Sequence, residues 1–146
     1  MRAVIQRVEN ARLTVNDQEI SKINKGLVCF FCVEKGDLEE KVHFFAKKIA
    51  NLRLFADNFD KTNLSVKDIG GEVLLVSQFT LAGDCNNGNR PSFSTAELPE
   101  RAHELYLKLA NEIETEYGVP VKLGAFGKHM IIEQTNLGPF TVFVEK

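Results

Sequence analysis

The apolar residues of this 146-residue chain repeat at two different periods, and the change of period divides it into strands and helices. Ala11, Leu13 and Val15 alternate strictly with polar neighbours, the mark of a half-buried strand, and residues 1–9 alternate more loosely. Asn16-Asp17-Gln18 is a turn candidate, which makes residues 19–23 the returning partner strand. Gly26 then opens a continuous apolar run over residues 27–33, read as a buried strand. After Asp37 the period lengthens. Leu38, Val42, Phe45, Ile49 and Leu52 fall at steps of four, three, four and three, one face of a helix. Asp37 and Glu40 have the spacing of a capping box, so the helix is predicted to start at Asp37.

Residues 52–55 lead towards a short strand, and residues 56–64 read as loop. The run Asp57-Asn58-Phe59-Asp60-Lys61 has the acidic look of a calcium loop but lacks its glycine and distal glutamate. Gly70-Gly71 punctuates before residues 72–79, the most strand-like run of all. It ends at Thr80-Leu81, and residues 85–99 read as a long loop, a length that usually marks function or disorder. A second helix follows Pro99, with Ala102, Leu105, Leu109 and Ile113 on its apolar face and Tyr106 beside them. Tyr117-Gly118 ends it. Residues 121–123, 129–135 and 141–144 read as closing strands, with Gly138-Pro139 in the connection between the last two. The expected fold is α+β: antiparallel sheets forming a barrel-like core, with two helices packed on it, in one domain spanning residues 1–146.

Composition narrows the function. Eighteen Lys and Arg against twenty Asp and Glu give a net charge of −2, a poor match for a protein that tracks long duplexes. A local basic patch on one strand end remains compatible, and Lys122, Lys128 and Arg90 are candidates for it. Cys29 and Cys32 have C-x-x-C spacing, but on a strand they point to opposite faces and make a poor chelate. With Cys85 they are read as free thiols, suited to a reducing compartment. The N-terminus shows no signal-type apolar core and no run is long enough to span a bilayer, so a cytoplasmic protein is expected, with no membrane partner.

The candidate chemistry sits at two strand ends. Ser77-Gln78-Phe79-Thr80-Leu81 and Asn136-Leu137-Gly138-Pro139-Phe140-Thr141 each place polar groups beside an apolar run. Neither contains a metal-ligand spacing, a phosphate loop or a serine-protease triad. A Thr80 nucleophile would need a base, and only Asp84 is near in sequence; the three histidines are His43, His103 and His129. Backbone N–H groups offered to a developing oxyanion suit the segment better.

Together with the loop Gly88-Asn89-Arg90-Pro91-Ser92-Phe93 and the block of residues 70–81, these segments resemble the D-aminoacyl-tRNA deacylases, over the full length of the chain. The resemblance implies a homodimer that hydrolyses the ester of D-aminoacyl-tRNA, and removes glycine mischarged on tRNA-Ala, with no cofactor, metal or DNA. It implies that Gly138 and Pro139, joined by a cis bond, reach into the partner subunit's site, where their carbonyl oxygens leave no room for an L side chain. It implies that Ser77, Gln78, Phe79 and Thr80 form the catalytic wall, with the amides of Phe79 and Thr80 at the scissile ester and water attack assisted by the terminal 2′-hydroxyl. Met130 and Ala102 are then expected beside the terminal adenine.

Leu137 and Phe140 depart from the aspartate and valine that many members carry there. Phe79 matches the chirally strict type; a related subfamily has alanine at that position and a trans Gly-Pro. The alternatives are a non-catalytic nucleic-acid-binding homologue, disfavoured because no basic tail follows Lys146, a Thr80-dependent esterase of small molecules, and a purely structural dimer.

Overall fold

A computed structural model describes residues 1–86 and 88–146. Strand β1 (Arg2–Val15) turns through Asn16 and Asp17, both at positive φ (50° and 62°), into β2 (Gln18–Ile23). Two successive left-handed residues form the tight turn whose twist matches paired strands, and Asn and Asp tolerate it. Next come β3 (Gly26–Cys32), helix α1 (Lys41–Asn51), β4 (Phe55–Ala56), β5 (Thr62–Leu64) and β6 (Glu72–Ser77). A 3₁₀ turn (Phe79–Ala82), helix α2 (Pro99–Tyr117), β7 (Val121–Leu123) and β8 (Ile131–Glu145) complete the chain.

The main sheet runs β2-β1-β3-β6-β7, with β8 also paired to β1. Its outer strands approach each other, where the Ser21 hydroxyl donates to the Leu123 carbonyl (2.6 Å), so the sheet nearly closes into a barrel. The expected α+β fold with two packed helices is what the chain adopts. The expectation of antiparallel sheets is corrected: β3 pairs with β6 in parallel, and β6 with β7 in parallel. Parallel neighbours need a long crossover, and the two helices supply it, α1 between β3 and β6 and α2 between β6 and β7.

Alternation along the central strands sorts two apolar layers. Leu27, Cys29 and Phe31 of β3 and Val73 and Leu75 of β6 pack with Phe45, Ile49, Leu105, Leu109 and Ile113 of the helices. Val28, Leu74 and Val76 turn the other way, towards Val8, Leu13 and Ile23 inside the barrel. Cys29 therefore lies in the helix-side layer, and no thiol pairing joins Cys29, Cys32 and Cys85.

Four further boundaries differ from the sequence reading. Helix α1 begins at Lys41, capped by Glu40 without a side-chain bond, and Leu38 is exposed. Asp37 has instead met the α-ammonium of Met1 (2.5 Å) and Lys41 (2.6 Å), and accepts the Glu34 N–H (2.8 Å). Burial alone would raise its carboxyl, but Lys41, the α-ammonium and the Glu34 N–H together hold it below the usual range.

The presumed loop of residues 56–64 is a β4–β5 hairpin, closed by Asp57, whose Oδ1 accepts the N–H groups of Phe59 and Lys61 (2.8 and 3.0 Å). The two expected closing strands are one strand, β8, with Gly138-Pro139 inside it. Of the long loop expected at 85–99, Asn87 lies outside the described residues, and Pro99 already belongs to α2.

Gly26 sets how closely β3 and β6 approach. A Cβ there would lie 1.9 Å from the Glu72 carbonyl oxygen, a backbone atom that cannot swing away. Gly26→Ala is expected to destabilise the protein by ~3 kcal/mol or more through overpacking, read as a lower urea midpoint. An unchanged midpoint would show that the two strands part freely at this end.

Candidate active site

The carboxyl ends of the parallel strands β3 and β6 open into a cavity of about 620 Å³. Open sheets with helical crossovers commonly bind ligands at such strand ends, where the chain leaves the sheet and backbone groups fall free. One wall is Phe31, Cys32 and Val33, and the next is Val76, Ser77, Gln78 and Phe79. Pro99, Ala102 and Tyr106 of α2 form a third side, and residues 126–130 with Ile132 close the fourth. The structure thus brings Ser77, Gln78, Phe79, Ala102 and Met130 around one space. Thr80 is exposed on the adjoining turn, tied to the cavity through Gln78, whose side-chain amide donates to Thr80 Oγ1 (2.5 Å).

The turn after β6 is fixed through its carbonyls. The Arg2 guanidinium donates to Leu81 O (2.9 Å), the Thr95 hydroxyl to Ala82 O (3.1 Å) and the Gly83 N–H to Thr80 O (3.0 Å). The thiol of Cys32 lies 3.6 Å from Phe79 O. At the start of a 3₁₀ turn the leading N–H groups have no carbonyl behind them. Among the described residues, those of Phe79 and Thr80 take no backbone acceptor outside the turn. Two main-chain donors are left at the mouth of a mostly apolar space.

Two protic groups on the lining are held neutral. Burial, with the Glu34 charge adding to it, pushes the Cys32 thiol up to about 11, and burial pushes the Tyr106 phenol up as well. The Tyr106 hydroxyl donates to Leu75 O (2.7 Å), which pins α2 to β6. The hydrogen-bond partner of Thr80 Oγ1 is a carboxamide, which cannot take its proton. His43 is held on the helix face by Glu112 (2.6 Å), His103 packs on Phe126 (centroids 4.5 Å), and His129 alone of the three lines the cavity.

Gly138 and Pro139 do not line this cavity. Across β1, Gln6 pairs with Thr141 and Val8 with Asn136, so the four residues between oppose Arg7 alone and bulge out of the ladder. Their peptide bond is cis, Gly138 has φ +121°, and both residues are exposed. Arg7 braces the bulge, donating from Nε to Leu137 O (3.1 Å) and from Nη1 to Leu54 O (2.5 Å), with its guanidinium 4.9 Å over the Phe140 ring.

Sequence reasoning missed Tyr106, Phe126, His129 and Glu97 as cavity residues. A tyrosine on the apolar stripe of a helix was a usable signal, because a buried hydroxyl must find an acceptor. Of the basic candidates, Lys128 lines the cavity, whereas Lys122 and Arg90 are exposed away from its lining.

The geometry is thus a cavity at parallel strand ends beside a 3₁₀ turn whose first two amides find no backbone acceptor among the described residues. Comparison with known proteins then assigns the class. The family model described as D-Tyr-tRNA(Tyr) deacylase matches residues 4–145. The D-aminoacyl-tRNA deacylase of Paracoccus denitrificans is 48% identical over 99% of this chain and 97% of its own length. That of Natranaerobius thermophilus is 46% identical over the same shares.

Among solved structures, a c-Myc DNA unwinding element binding protein superposes with a TM-score of 0.95 at 35% identity, covering 100% of this chain and 99% of its own. A probable eukaryotic D-amino acid tRNA deacylase shares the fold (TM-score 0.84, 17% identity, 98% and 97% covered). The chain belongs to the D-Tyr-tRNA(Tyr) deacylase family, and so to the hydrolases of ester bonds.

Arg7→Lys should remove the planar fork that holds two carbonyls and the Phe140 face. The expected result is a loss of about 1–3 kcal/mol in stability. Amide exchange at residues 137–141 should rise more than elsewhere in β8. Uniform exchange along the strand would show that Arg7 does not brace the bulge.

Proposed function

We propose that the protein hydrolyses the ester joining a D-amino acid to the 3′ end of tRNA, releasing free D-amino acid and tRNA. The observation that carries the reading is the convergence of Ser77, Gln78 and Phe79 with Ala102 and Met130 on one cavity, in a chain of this family. The Phe79 and Thr80 amides bind the oxyanion that develops on the ester carbonyl, where fixed dipoles in a water-poor site act without reorganising. Water is the nucleophile, assisted by the 2′-hydroxyl of the terminal adenosine, which fits a Thr80 hydroxyl bonded to a carboxamide instead of a base. The adenine lies against Met130 and Ala102.

Chirality is set by a second copy of the chain. Gly138 and Pro139 stand on an exposed bulge outside their own cavity, so in a homodimer they are available to enter the partner's site. There their carbonyl oxygens clash with an L side chain, and discrimination comes from excluding the wrong enantiomer. Glycine has no side chain to exclude, so glycine mischarged on tRNA-Ala is a second substrate. The exposed Ile131 and Phe143 on β8 supply apolar surface for such a pairing. Among the described residues no helix is long and apolar enough to cross a membrane, and the proposed substrate is one found in the cytoplasm.

A second reading, a non-catalytic nucleic-acid-binding homologue, draws on the name of the 35% identical structure. Rates on D-tyrosyl-tRNA and L-tyrosyl-tRNA separate the two. Deacylation of the D form at least a hundredfold faster than the L form is expected, persisting in EDTA, and Thr80→Ala should keep a measurable fraction of the rate. Equal rates on the two enantiomers, or none on the D form, would refute the proposal. Complete loss in Thr80→Ala would restore that hydroxyl as nucleophile.

A further inference from the structure

The aromatic ring of Phe79 has an unexpected setting for a residue of a catalytic turn. It is 56% exposed, and its aromatic partner is Phe93, which arrives from beyond the 3₁₀ turn and is itself 38% exposed. The ring centroids are 5.3 Å apart at 72°, the edge-to-face arrangement that aromatic quadrupoles favour. Little apolar area is hidden in this pair, so its contribution to overall folding is small. Its geometry is nevertheless built from several sides.

Gly83 is one side of that seat. Its φ is −64°, a conformation open to any residue, so backbone freedom does not require glycine there. Space does. A Cβ would fall 2.9 Å from Cε1 of Phe93 and 2.9 Å from the Thr80 carbonyl oxygen. The turn and the Phe93 ring thus meet across the one residue too small to separate them. Asp84 and Ser92 form another side, exchanging two backbone hydrogen bonds (2.8 and 2.9 Å) immediately before Phe93. Beyond it, the Ala96 N–H donates to Phe93 O (3.1 Å), and Thr95 Oγ1 donates back to Ala82 O in the turn. Phe93 is anchored on both flanks, and its ring presses on the turn that carries the free amides.

We propose that Phe93, seated on Gly83, is a positioning residue for the deacylation. It fixes the orientation of the Phe79–Thr80 amides through the Phe79 ring without touching the reacting ester. The carbonyls of the turn are held by Arg2, Thr95 and Gly83, but those bonds act from Thr80 onward. The peptide plane that carries the Phe79 N–H is held at Gln78, whose carbonyl accepts the Leu81 N–H (3.2 Å) and whose own N–H donates to Phe31 O (2.8 Å). Phe79 itself shares its next peptide with the Thr80 N–H, and there the restraints are the Cys32 thiol contact to its carbonyl and the Phe93 ring against its side chain. Donors aimed at a transition state lose effect when their direction wanders, and that loss falls on kcat more than on substrate binding. The inference rests on the proposed function in placing those amides at the ester.

The test compares Phe93→Ala, Phe93→Tyr and Gly83→Ala with the unaltered protein. Three readouts are taken: steady-state kinetics on D-tyrosyl-tRNA, thermal melting, and amide exchange of Phe79 and Thr80. Phe93→Ala is expected to lower kcat about fivefold to tenfold with KM within twofold and the melting temperature nearly unchanged. Phe93→Tyr, which keeps the ring, should restore most of the rate, and Gly83→Ala should reproduce the loss. Exchange at Phe79 and Thr80 should quicken in the alanine variants alone.

An unchanged kcat in Phe93→Ala, a rise in KM alone, or a tyrosine variant as slow as alanine would each overturn the proposal. If the unaltered protein fails to deacylate the D substrate, the functional reading fails. Amide exchange then decides by itself whether Phe93 orders the turn, and unaltered exchange in Phe93→Ala sinks it.

Discussion

The parallel contact between β3 and β6 is the constraint on which the site depends. Two strands running the same way end at the same edge of the sheet, and each must leave it there. Their departing backbones, residues 31–33 and 76–79, become facing walls of one cavity. The contact is tight enough that Gly26 admits no side chain against the Glu72 carbonyl. It also dictates the helices, since a parallel neighbour is reached only by crossing over the sheet. Helix α2 is that crossover for β7, and its first two turns form the third wall. Fold and site are thus one solution to the same problem of chain direction.

Much of this was legible from hydrophobic period. Both helices, the buried run of β3, and the hairpin of β1 and β2 follow from spacing alone. Chain direction does not. A buried strand reads the same whether its neighbour is parallel or antiparallel, so the mixed sheet could not be seen. The start of α1 was misread because Asp37 has a stronger partner than helix amides, an α-ammonium more than thirty residues away in sequence. Gly138-Pro139 was read as a turn because both residues break ladders locally. The ladder resumes on either side because Arg7, far off in sequence, stands opposite the gap. In each case a long-range partner overrode a sound local signal.

The site residues divide along the same line. Ser77, Gln78, Phe79, Met130 and Ala102 converge within one chain, while Gly138 and Pro139 stand apart from them. That separation is not a failed prediction, because the motif was expected to act across a subunit boundary. Tyr106 and Phe126 were overlooked because an aromatic on an amphipathic helix or near a strand end is ordinarily core. Tyr106 is core and wall together: its ring faces the cavity while its hydroxyl is spent on Leu75.

A recess furnished in this way leaves little for covalent chemistry to seize. The single thiol on its lining stays protonated at neutral pH, being pushed up to about 11, and the Tyr106 phenol is likewise held neutral and occupied. Alkylating agents and oxidants that silence thiol enzymes would find no thiolate to attack. Compounds that block such a recess would have to win by contour and by offering an oxygen to main-chain donors, and resistance by swapping one ionisable side chain for another would be hard to reach.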